Sequence, residues 1–183
     1  METIIDNRLV ELIQKCEIMV QITTKGCNYW NVIRYFFQIP LILTSSVMCI
    51  LNSFDDGNGG MKVPNVVVNG VSVLLMSYQN QLKVLEKVDM YKNLSNEFLL
   101  LAHEIEGKNP DDIDRNQVNN LIEKYDKLTF SVNFQDIPTR YKIEVINKNK
   151  GKKLPLQLNG GSGLPSPKAV LNSELSFKDN NIV

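Results

Sequence analysis

A chain of 183 residues allows one domain with a tail, and its 20 Lys+Arg against 20 Asp+Glu cancel to a formal net charge of 0 at pH 7. That balance excludes a global basic field for nucleic acid and a global acidic field for cationic partners. A mean hydropathy of -0.15 excludes a polytopic carrier, yet leaves room for one apolar hairpin beside a polar remainder. Cys16, Cys27 and Cys49 are odd in number and widely spaced, so they read as reduced thiols rather than a disulfide framework. His103 is the single histidine, and no histidine-based zinc site is expected.

The first element is an amphipathic helix over residues 1–26. Ile5, Leu9, Leu12, Ile13, Cys16, Met19 and Val20 recur at steps of three and four, the period of one helical face. Lys25-Gly26 offers a stop. Next comes an apolar stretch, read as a membrane span over about 30–54, with Trp30, Arg34 and Tyr35 at its start. Amphipathic rings beside a snorkelling cation suit a membrane–water interface, which makes these three the interface anchors. Pro40 is tolerated in such a span.

Asp55-Asp-Gly-Asn-Gly-Gly60 then favours a tight reversal. A second span follows over about 61–82, so residues 27–82 form a transmembrane hairpin. This second span is the weaker one, because Asn65 and Asn69 interrupt it. Arg8, Lys15, Lys25 and Arg34 precede the pair and Lys83, Lys87 and Lys92 follow it. The positive-inside rule places both termini on the cytoplasmic side.

A long helix is expected over about 77–106, with Leu85, Val88, Tyr91, Leu94, Phe98, Leu101 and Ile105 on one face. Asn109-Pro-Asp-Asp112 reads as the start of the next helix, which carries Ile113, Val118, Leu121, Ile122, Tyr125 and Leu128. Ile137-Pro138 opens a short last element over 139–145. Residues 83–145 thus make a cytosolic helical region. From 146 to 183 a basic cluster gives way to Gly, Pro and Ser, the composition of a disordered tail.

No residues in the chain arrange themselves as a phosphate loop, a nucleophile elbow, a zinc-protease box or a calcium loop. No catalytic residue, cofactor or metal is expected, and the chain reads as a non-enzyme. Each apolar stretch instead carries a polar stripe: Gln38, Ser45 and Asn52 on the first, Asn65, Asn69 and Ser72 on the second. In lipid such stripes must meet something polar. They are either helix-packing contacts, within the hairpin or between subunits, or the lining of a narrow oligomeric pore.

Ile39-Pro-Leu-Ile-Leu-Thr-Ser-Ser46, Asn69-Gly-Val-Ser-Val-Leu-Leu-Met76, Leu85-Glu-Lys-Val-Asp-Met-Tyr-Lys-Asn-Leu-Ser95, Leu121-Ile-Glu-Lys-Tyr-Asp-Lys-Leu128 and Ile137-Pro138 occur in that order. This series resembles the two-transmembrane SLATT-like proteins, especially the versions of large DNA viruses, over about residues 25–145. The resemblance implies an integral membrane protein without catalytic activity. It further implies a virion or host-membrane component, or a pore-type membrane-disrupting effector as in bacterial members. The amide-containing second span and the tail depart from the bacterial pattern.

The expectation is therefore an all-α protein: an N-terminal amphipathic helix, a two-span hairpin and a long cytosolic helix pair. Its expected role is that of an oligomeric structural or scaffolding component of a viral internal membrane or host membrane. Its expected partners are the lipid bilayer, further copies of itself, and a capsid or membrane-associated protein. Two other roles compete with it, the pore-forming effector and a soluble helical interaction module whose hairpin is simply core.

Overall fold

The computed structural model describes residues 2–53, 62–108 and 113–158, with side chains from residue 7 in the first segment and from residue 64 in the second. The described residues are helical and contain no strand. Five helices follow in order: α1 (Glu2–Ser53), α2 (Lys62–Gln81), α3 (Val84–Glu106), α4 (Arg115–Ser131) and α5 (Thr139–Lys148). Short 3-10 turns occupy Phe134–Asp136 and Leu156–Leu158. The chain divides into two compact units, one joining Met1–Gly26 to Tyr91–Val183 and the other formed by Cys27–Met90.

The first unit is a helical bundle with an ordinary buried core. Leu9, Leu12, Cys16 and Met19 are buried along α1, as the period demands, and Ile18 and Ile22 join them. α3 contributes Leu94, Phe98, Leu101 and Ile105, again at steps of three and four, and α4 contributes Val118, Leu121 and Tyr125. The Phe98 and Tyr125 rings meet edge to face with centroids 6.0 Å apart. Tyr91 is fully buried, and its hydroxyl donates to the Asn133 carbonyl at 2.5 Å, which pins the segment after α4.

Two features depart from the sequence expectation. Gly26 does not end a helix, since α1 runs through it to Ser53. A Cβ at Gly26 would lie 3.1 Å from Tyr91 Cδ1 and 3.2 Å from Ile137 Cγ1, so the missing side chain serves close approach. The expected disordered tail is likewise corrected over 146–158. There Asn149 is buried and donates to Gln21 Oε1 at 3.1 Å, while Lys152 and Lys153 pair with Glu17 and Glu11 at 2.9 and 2.5 Å. Leu158 and Pro155 are buried as well. Two lysines of the basic cluster therefore answer acidic residues of α1 at the solvent-facing surface. The remainder of the tail, the Asn109–Asp112 helix start and the Asp55–Gly60 turn lie outside the described residues.

Burial pushes the Cys16 thiol up to about 12, raises the Tyr125 phenol to about 12, and raises the Tyr91 phenol as well. Burial also lowers the Lys142 ammonium, whose Nζ donates to the Phe134 carbonyl at 2.9 Å. The acids favour the fold while neutral, and the unfolded chain ionises them first, near the ordinary values of 9.0 for the thiol and 10.0 for the phenols. Their contribution is thus whole below pH 9.0 and shrinks above it. Lys142 acts in the opposite sense, but one base faces three acids. Denaturation followed against pH is expected to show bundle stability falling from about pH 9 upward. In Cys16→Ala the fall should begin later, where the phenols titrate.

The second unit is an antiparallel hairpin. Asn52 and Asn65 exchange amide hydrogen bonds of 2.7 and 3.4 Å, and the Phe37 and Tyr78 rings lie 5.8 Å apart. Lys87 Nζ sits 4.2 Å from the Trp30 ring centre, and Cys27 Sγ reaches the Val88 carbonyl at 3.8 Å. As residue numbers rise on one arm they fall on the other, which fixes the direction. The single helix expected over 77–106 is broken: α2 stops at Gln81, Lys83 takes φ 52°, and α3 starts at Val84. A left-handed lysine carries no sequence signature, because glycine or asparagine is the residue that normally announces that conformation.

Candidate membrane interface

In α2 and its last turn the partly or fully buried positions are Asn65, Val68, Ser72, Leu75, Gln79 and Leu82. Their steps alternate three and four, the spacing of a coiled-coil seam. The matching seam of α1 runs through Trp30, Arg34, Phe37, Leu41 and Met48. Much of the remaining hairpin surface is apolar and open. Phe36 is 73% exposed, Ile42 64%, Val66 72% and Leu74 71%. Leu43, Val47, Ile50, Val67, Val71 and Val73 are exposed with them. Scattered exposed apolar residues are normal, but so many of them on a two-helix unit are not.

By length and composition Asn7–Ser53 could cross a membrane: its best window has a mean hydropathy of 1.5, and 11% of that window is buried. A core helix of a water-soluble protein passes the first test and fails the second. Among the described residues no other helix meets the same measure, and α2 falls short because amides and hydroxyls interrupt it.

Several polar groups of the hairpin are satisfied internally. Thr44, Ser46 and Ser53 donate to the carbonyls of Pro40, Ile42 and Cys49 at 2.8, 2.8 and 2.9 Å. Such back-bonding lets a hydroxyl sit in an apolar medium. Gln38 Oε1 accepts from Arg34 Nε at 3.1 Å. Asn52 and Asn65 hold each other, Ser72 lies on the seam, and Ser45 and Asn69 are exposed. The structure therefore separates the six residues of the polar stripes. Asn65 and Ser72 face the partner helix, with Asn52 bonded to Asn65, while Gln38, Ser45 and Asn69 lie outside the seam.

Of the anchors, Tyr35 is exposed, Arg34 is half-buried and Trp30 is buried on the seam. The Trp30 indole meets Tyr29 edge to face and carries the Lys87 ammonium over its ring. A cation held over an indole face is favourable where water is scarce. Trp30 Nε1 is buried without a hydrogen-bond acceptor among the described residues. Lys87 escapes a sequence reading, because only the fold brings it to Trp30. Among the described residues no group of His, Cys, Asp and Glu is arranged to hold a metal ion. Comparison with family models, with curated proteins and with solved structures finds no match for this chain.

Proposed function

We propose that the protein is an integral membrane component whose α1–α2 hairpin crosses a bilayer and whose bundle remains on the cytoplasmic side. Its role in this reading is non-enzymatic: an oligomeric structural or scaffolding element of a viral internal membrane or host membrane, of the SLATT-like two-span kind. The observation that carries the reading is the contrast in burial between the two units. One unit encloses most of its apolar side chains, with Leu100, Phe130 and Leu156 as exposed exceptions, whereas the other presents most of its own outward. Water penalises each exposed large side chain by roughly 1.5–3 kcal/mol, and a hydrocarbon solvent removes that penalty. Back-bonded hydroxyls and the paired amides suit the same solvent. α2 stands as a span chiefly through its pairing with α1.

The test is alkaline carbonate extraction of membranes from cells expressing the full chain. Retention in the membrane pellet is the expected result. Release into the supernatant would favour the soluble interaction module and end the membrane reading.

A further inference from the structure

The seam assignment divides the rest of the hairpin into two flanks with opposite chemistry. In an antiparallel pair, the residues that follow the second seam position of each heptad on one helix lie on the same side as their counterparts on the other. Gln38, Ser45 and Asn52 occupy that position on α1, and Asn69 and Met76 occupy it on α2. On the opposite flank the corresponding places hold Pro40 and Val47 on α1 and Pro64, Val71 and Tyr78 on α2. One flank is thus polar at four of its five places, Met76 being the exception, and the other is apolar or aromatic.

Within the polar flank the ends are satisfied and the middle is not. Gln38 accepts from Arg34, and Asn52 bonds Asn65. Ser45 and Asn69 are exposed, and neither side chain is bonded to another described residue. Beside Asn69 the helix surface is open, since a Cβ on Gly70 would meet nothing within 4 Å.

We propose that this flank is the surface on which a second copy of the chain docks, with Asn69 and Ser45 bonding across the two hairpins. The proposal rests on the membrane reading given above. A carboxamide carries donors and an acceptor, so it pairs with its own kind. Two copies with the same topology place their Asn69 side chains at the same depth, and equal depth is what a hydrogen bond within hydrocarbon requires. Lipid tails offer no partner, and the open place at Gly70 lets a neighbouring helix approach. Val47 and Val71, on the other flank, gain nothing from a protein neighbour over lipid.

The experiment is oxidative cross-linking of the full chain in membranes, on a Cys49→Ser background. A disulfide needs Cα atoms within about 7 Å, so it reports the facing flank directly. Ser45→Cys and Asn69→Cys are expected to give a covalent dimer about tenfold more efficiently than Val47→Cys and Val71→Cys. Asn69→Leu, without added cysteine, is expected to weaken the dimer by roughly threefold to tenfold. Equal cross-linking on both flanks, preference for the valine flank, or a dimer untouched by Asn69→Leu would each overturn the proposal. So would dye leakage from liposomes that Asn69→Leu abolishes while the subunit count stays fixed, since the flank would then face water. Carbonate extraction of the same samples separates the two readings. Protein that stays in the pellet but cross-links without flank preference defeats only the docking surface, whereas protein released to the supernatant defeats both.

Discussion

Phe98→Ala is expected to cost the bundle about 3–5 kcal/mol, the range for removing a fully enclosed aromatic side chain. The ring is 0% exposed and meets Tyr125 edge to face, so its loss forfeits both apolar burial and an aromatic contact. Its ring partner Tyr125 belongs to a different helix, α4, and is itself buried. The measurement is amide hydrogen exchange in the full chain, read on α3 and α4. Protection there should fall by roughly two to three orders of magnitude. Leu100→Ala serves as the control, because Leu100 is 67% exposed and should cost no more than about 0.5 kcal/mol. Equal effects for the two variants would show that the bundle does not pack around Phe98.

Gly26→Leu is expected to destabilise the same unit by about 3 kcal/mol, at the upper end of the usual overpacking range. Two effects compete at this position. Any residue other than proline raises helix propensity over glycine, by up to about 1 kcal/mol. Against that gain, the first carbon alone would lie 3.1 Å from the Tyr91 ring and within 3.3 Å of two Ile137 carbons. Tyr91 is 0% and Ile137 1% exposed, so neither neighbour can swing out to solvent. Tyr91 is also held by its bond to Asn133. Gly26→Ala should fall between the wild type and leucine, because one carbon asks the neighbours to yield only a few tenths of an ångström. Thermal denaturation of the three proteins in the same bilayer mimetic orders them, and a leucine variant as stable as the wild type would show that the contact is loose.

Much of this architecture is legible from residue spacing. The buried face of α3 follows the predicted steps from Val88 to Ile105, and only Leu85 leaves it for the surface. The face of α4 follows Val118, Leu121 and Tyr125 in the same way. Periodicity succeeds there because one water-facing side and one core side impose contrasting composition. It does less in the hairpin, where apolar residues occupy the outer faces as well as the seam, and the seam can be recognised only once the partner helix is in place. The stripe read on α2 as Asn65, Asn69 and Ser72 therefore mixes two surfaces that differ by a single step in register. Boundaries set by backbone conformation were illegible for another reason. Gly26 has the composition of a stop but serves a close contact, whereas Lys83 has no signature of a break and makes one. The burial of Asn149 and the pairing of Lys152 and Lys153 with α1 are long-range facts, and a local reading of basic, glycine-containing sequence had no access to them.

The reciprocal contact between Asn52 and Asn65 joins the two arms of the hairpin through side chains that do not ionise. A carboxylate–ammonium clasp in that place would loosen on acidification and weaken in salt, and it would respond to the field across a charged membrane. Two carboxamides are indifferent to all three. The Asn52–Asn65 clasp is thus a latch that protons cannot pick, and it keeps the arms in register at acid and neutral pH alike.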